Sequence, residues 1–183
     1  ATIMTGDAMR MVQFLKAGSV IAGFRFENGK GEDLNYGCYI SSVGATITNC
    51  VFTLASMNYD RAGAVYNVDG YCADCVFTNF THSGGYGGAY YQQGDSAVAE
   101  RLFICNNGKY DNFYASGACT IDGGVLRNST ITNNVFTRTG NGSPVGGVRL
   151  ARLHRIVHGQ SGHCEQQSPK KRLVFHIHSF ILQ

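Results

Sequence analysis

Apolar residues recur along this chain in short alternating runs, not in helix-length stripes. Phe24-Arg-Phe26, Cys50-Val-Phe52, Cys75-Val-Phe77 and Leu102-Phe-Ile104 each set two apolar side chains two residues apart. That period of two points both to one side of a strand. An Asn or its equivalent follows two residues later, and then a polar stretch of variable length. The pattern predicts short, half-buried strands separated by turns such as Asp69-Gly70 and Asp122-Gly123.

The runs repeat. The anchor column reads Phe26, Phe52, Phe77, Ile104, Ile131 and Val157, with spacings of 26, 25, 27, 27 and 26 residues. Two residues earlier stand Phe24, Cys50, Cys75, Leu102, Ser129 and Arg155; further back stand Ile21, Ile47, Cys72, Ala99, Leu126 and Leu153. Two residues after the anchor come Asn28, Leu54, Asn79, Asn106, Asn133 and Gly159. A second phrase in each unit opens at Gly37, Gly63, Gly88, Gly117 and Gly147. No unit holds a helix-length amphipathic run, which argues against ankyrin or leucine-rich arrays, and a propeller blade needs roughly 40 residues. The fold expected is all-β: a parallel β-helix, or solenoid, of about five to six coils with ~26 residues per coil. Residues 1–18 are expected to form a partial N-terminal coil, 19–159 the repeats, and 160–183 a non-repeating tail that is either a cap or disordered.

In such a coil each column becomes a stack. Phe26, Phe52, Phe77, Ile104 and Ile131 are expected inside, one over another. Asn28, Asn79, Asn106 and Asn133 are expected as a buried ladder. Cys50 and Cys75 share a column, so they are expected to fill the interior as small apolar residues, at a separation that also lies in disulfide range.

Composition and charge narrow the function classes. The net charge of +3 arises in the tail, where Arg149, Arg152, Arg155, Lys170, Lys171 and Arg172 face Glu165 alone. Residues 1–148 are slightly acidic, so no nucleic-acid partner is expected. No apolar run approaches the roughly 20 residues of a membrane-spanning helix. No signal peptide is recognisable, and the chain is expected to be part of a longer one.

The segments Gly23-Phe-Arg-Phe-Glu-Asn-Gly29, Ile47-Thr-Asn-Cys-Val-Phe52, Gly85-Tyr-Gly-Gly-Ala-Tyr90 and Gly123-Gly-Val-Leu-Arg-Asn-Ser-Thr-Ile-Thr-Asn133 carry a resemblance. Over roughly residues 17–150 the chain resembles the right-handed parallel β-helix repeat proteins of bacterial surfaces, such as polymorphic outer-membrane proteins and autotransporter passengers, which implies a right-handed coil. The resemblance implies a secreted or surface-displayed chain, extracellular or on the bacterial cell surface. It further implies an adhesin-like role, with host or cell-surface glycans or proteins as partners.

Polysaccharide lyases and glycoside hydrolases use the same scaffold. A hydrolase needs converging carboxylates, and a Ca²⁺-dependent lyase needs acidic ligands with an Arg or Lys base. Glu32-Asp33 is the only adjacent acidic pair, and His158-Gly159 matches only one small piece of the polygalacturonase pattern. No catalytic residue is assigned. Cys72-x-x-Cys75 is a lone CxxC without further ligands, so neither a metal nor another cofactor is expected. Tyr residues around the corners and loops are suited to stacking on sugar rings. The ligand-binding candidates are His82, Tyr86, Tyr90, Tyr91, Tyr110 and Tyr114. The function expected is a non-catalytic stalk or binding surface; the alternative is a fragment of a pectate-lyase-like enzyme. Carboxylates converging with Arg on an exposed face would favour the alternative.

Overall fold

The computed structural model describes residues 2–5, 12–31, 40–54, 56–57, 64–82, 88–110, 118–137, 148–150 and 174–182. Every described element is a strand. They stack as a parallel β-solenoid whose coil is about 26 residues long, as the repeat predicts. An 11-stranded sheet contains two lines of parallel strands. Val20–Ala22, Thr46–Thr48, Tyr71–Ala73 and Val98–Glu100 form one line. Phe24–Glu27, Val51–Thr53, Val76–Thr78 and Phe103–Cys105 form the other, with Thr2–Thr5 laid parallel on its first strand. Both lines run onto the nine-residue strand Gly124–Thr132. A six-stranded sheet runs from Val12–Leu15 through Ile40–Val43, Val65–Val68, Tyr90–Gln93 and Cys119–Asp122 to Val148–Leu150. A five-stranded sheet holds Lys30–Gly31, Ser56–Met57, Thr81–His82, Gly108–Tyr110 and Val135–Thr137.

The anchor column is the interior. Phe26 pairs with Phe52, Phe52 with Phe77, Phe77 with Ile104 and Ile104 with Ile131, and all five are buried. The rings of Phe26 and Phe52 stack at 5.0 Å and those of Phe52 and Phe77 at 4.9 Å. Those distances follow from the spacing of neighbouring strands, which sets the rise per coil. Each fully buried Phe contributes roughly 1.5–3 kcal/mol of transfer free energy. Ile47, Cys72, Ala99 and Leu126 form the second internal column.

Two expectations change. Asn28, Asn79 and Asn106 are exposed and Asn133 is half-buried, so this column is no buried ladder. With Leu54 they all have φ between 54° and 59°. They are left-handed corner residues, a conformation that Asn tolerates better than most side chains. A stacked amide pair, Asn107 buried and Asn134 half-buried, does exist one position further on. The Asn107 side chain accepts from the Phe80 N–H at 3.0 Å, and Asn134 accepts from both the N–H and the side-chain amide of Asn107, at 3.1 and 2.9 Å.

The second phrase is also registered differently at its ends. Aligning its glycines would pair Tyr39 with Val65 and Cys119 with Arg149. The structure pairs Ile40 with Val65 and Cys119 with Val148 instead. A slip of one residue exchanges the two faces of a strand. Here the apolar side chains of Ile40 and Val148 pack with the core, which fixes the register.

The segment 174–182 forms an antiparallel strand along Gly124–Thr132, from Gly124 opposite Leu182 to Thr132 opposite Val174. The expected sixth-coil residues Leu153, Arg155 and Val157 lie outside the described residues.

Candidate functional site

Stacking carries charged side chains onto the outer face of the long sheet. Ala73, Glu100 and Arg127 occupy one register column, on strands whose middle residues Cys72, Ala99 and Leu126 face inward. Asp74 and Arg101 follow at the corner, with φ of 55° and 51°. The outcome is a cluster of Tyr71, Asp74, Glu100, Arg101 and Arg127. Arg101 donates to both carboxylate oxygens of Asp74, at 2.7 and 2.9 Å, and to Glu100 at 2.5 Å. Arg127 Nε donates to the other Glu100 oxygen at 2.5 Å. The Tyr71 hydroxyl also donates to Glu100.

Glu100 is only 6% exposed, so it depends on these partners to stay charged. The Tyr71 hydroxyl and the two guanidiniums outweigh its burial and hold its pKa at about 2. The bond from Arg101 likewise lowers Asp74. Tyr71 is raised, chiefly because its proton is shared with the Glu100 carboxylate. The cluster therefore holds two fixed anions, two fixed cations and a protonated phenol at neutral pH. It meets the criterion of carboxylates converging with Arg on an outer face, although each carboxylate is already bonded to Arg. Neither Asp74 nor Glu100 has an acidic neighbour in the chain, so no acidic pair marks the cluster in the sequence. The period was the available signal, because Asp74 and Arg101, like Glu100 and Arg127, stand 27 residues apart.

A second outer surface lies on the six-stranded sheet. Tyr66 and Tyr91 are register partners with ring centroids 5.3 Å apart. The Tyr66 hydroxyl donates to Gln93 at 2.5 Å, and that of Tyr91 to Asp122 at 3.5 Å.

Among the described residues, the ligand-binding candidates fall on two different sheets. Tyr90 is fully buried and faces the core, 5.5 Å from the Phe77 ring, so it offers no face to a sugar. Its hydroxyl joins an internal network: Asn67 donates to it at 3.1 Å and it donates to Gln92 at 3.0 Å. Burial raises its pKa, with the nearby Cys72 adding to the effect. Tyr91 is only 5% exposed, so it too lacks the open ring expected of it. Strand alternation explains Tyr90, since the neighbouring positions Tyr90 and Tyr91 cannot both face outward. The backbone places His82 on the five-stranded sheet opposite Met57 and Lys109, and Tyr110 opposite Thr137. Tyr86 and Tyr114 lie outside the described residues.

Five described cysteines, Cys50, Cys72, Cys75, Cys105 and Cys119, are buried and carry free thiols. The bond with Cys75, then burial, pushes the Cys50 thiol far up. At Cys75 the bond with Cys50 acts downward, but Cys72 and burial outweigh it and the thiol is raised as well. Among the described residues no group of three or more His, Cys, Asp or Glu is placed to hold a metal ion.

Fold and site together define a parallel β-solenoid with a closed interior and a paired charge cluster on one outer face. Comparison with protein-family models, curated proteins and solved structures finds no match to the chain.

Proposed function

We propose that this chain is a non-catalytic segment of a secreted or cell-surface β-helix protein, acting as a rigid adhesin-like stalk or binding surface for glycans or proteins. The observation that carries the reading is the state of the charge cluster. Glu100 is held ionised down to about pH 2, so it supplies no proton as a general acid. Tyr71 is held protonated, so it is no base near neutrality. Both guanidiniums are engaged by carboxylates of the chain itself. Such a cluster locks neighbouring coils together. Stiffness suits a stalk, because each coil is stabilised by its neighbours along one axis. The outer surface around Tyr66, Gln93 and Asp122 on the six-stranded sheet is where contact would fall.

The second reading, a fragment of a polysaccharide lyase or hydrolase, is favoured by the same convergence of Asp74, Glu100, Arg101 and Arg127. One experiment separates the two. The chain is incubated with acidic and neutral polysaccharides, with and without Ca²⁺, while binding is followed on immobilised glycans. Retention without release of new sugar ends supports the stalk or binding surface. Turnover that is lost on replacing Arg101 or Glu100 establishes the enzyme and removes the first reading.

A further inference from the structure

The interior holds a thiol pair that neither the charge cluster nor the outer faces use. Val51 and Val76 are register partners on neighbouring coils, so Cys50 and Cys75, one residue before each, are stacked as well. Cys75 Sγ lies 3.1 Å from the Ala73 carbonyl oxygen of its own coil and 3.9 Å from that of Ile47 in the preceding coil. It therefore hangs between the two coils, on the side where Cys50 stands. Cys50 Sγ has the same posture, 3.2 Å from the Thr48 oxygen and 4.0 Å from that of Ile21. Stacked positions on adjacent strands have the Cα separation that a disulfide spans.

We propose that Cys50 and Cys75 become joined by a disulfide when the chain folds in an oxidising compartment, stapling two neighbouring coils from inside. The reaction is a two-electron oxidation by a small-molecule disulfide such as oxidised glutathione. One thiolate attacks the glutathione disulfide, releasing one glutathione thiol. The second cysteine then displaces the other glutathione from the mixed disulfide. One S–S bond forms within the chain, one is lost from the oxidant, and the two cysteine protons end on two glutathione thiols. Both cysteines are 1% exposed in the closed solenoid, so oxidation precedes closure of the coils. Cys72 is the competitor, since it stands three residues before Cys75, but it belongs to the column of Ile47 and Ala99 and is stacked on neither Cys50 nor Cys75.

The full chain is secreted into an oxidising compartment, alkylated without reduction, digested and mapped by mass spectrometry. The expected product is a linked peptide pair containing Cys50 and Cys75, replaced by two alkylated peptides when reductant is added first. Its thermal midpoint is expected to fall by roughly 6 °C or more on reduction. Cys72→Ala should leave the link in place. Recovery of Cys50 and Cys75 as free alkylated thiols, or a link from Cys75 to Cys72, overturns the proposal. Both readouts are taken on the unmutated chain, so the test does not depend on any variant folding.

Discussion

At the scale of single residues, two kinds of position carry the coil: those that fill it and those that turn it. Phe52 is the clearest filler, fully buried with one ring above and one below. Phe52→Ala opens a cavity in the middle of a stack that cannot collapse without tilting two coils. The expected loss is about 3–5 kcal/mol, read from the denaturant midpoint. Leu54 is the odd turning residue. It adopts φ 56° in a column whose other described members are all Asn, and half of its apolar side chain is in solvent. Left-handed backbone costs an ordinary residue roughly 1–2 kcal/mol. Leu54→Asn should therefore stabilise the chain by about 1 kcal/mol and Asn79→Leu should destabilise it by a similar amount. Equal or reversed midpoints in urea would show that backbone strain at this corner is not what selects Asn.

At the scale of elements, much was legible because the period is strong. The columns headed by Phe26 and Ile21 were readable, since each residue repeats its apolar class at the coil length. The buried polar interior was not readable. Asn107, Asn134, Asn67 and Gln92 satisfy one another or turn carbonyls within and between coils, and only the assembled register brings these groups together. The Asn corners were misjudged for a related reason: a recurring Asn fits a ladder and a left-handed corner equally well until φ is known. Tyr90 stands near the Gly88 corner, a place suited to an exposed ring, but its strand position turns it into the core. The charge cluster belongs to this scale too, and it makes a pH prediction. Glu100 has its pKa lowered from the ordinary value of 4.5 to about 2. A lowered acid stabilises the fold above its unfolded pKa and loses that contribution as pH falls through its folded one. Wild type should therefore be more stable than Glu100→Gln at pH 7, and the gap should close between pH 4.5 and about 2. Thermal midpoints of both proteins across that range check it. A gap that stays constant would mean that packing, and not charge, makes Glu100 matter.

At the scale of the whole molecule, a solenoid is limited by its ends, because every interior strand is paired on both sides and a terminal strand is not. At one end of the long sheet, Val20–Ala22 is the last described strand of its line, with Val20 67% exposed. At the other, Gly124–Thr132 would present nine residues of open backbone were it not paired with Val174–Leu182. That antiparallel pairing differs from every other pairing described. A further coil would add its strand parallel to the last one, so the antiparallel strand occupies the edge that such a strand would take. A chain ending at residue 173 should then expose a long flat edge. It is expected to associate with increasing concentration in sedimentation velocity, while the full chain does so less. A peptide of residues 174–182 added in trans should reduce the association by occupying the same edge. If the shortened chain sediments as the full chain does at every concentration, the strand is not what protects that end.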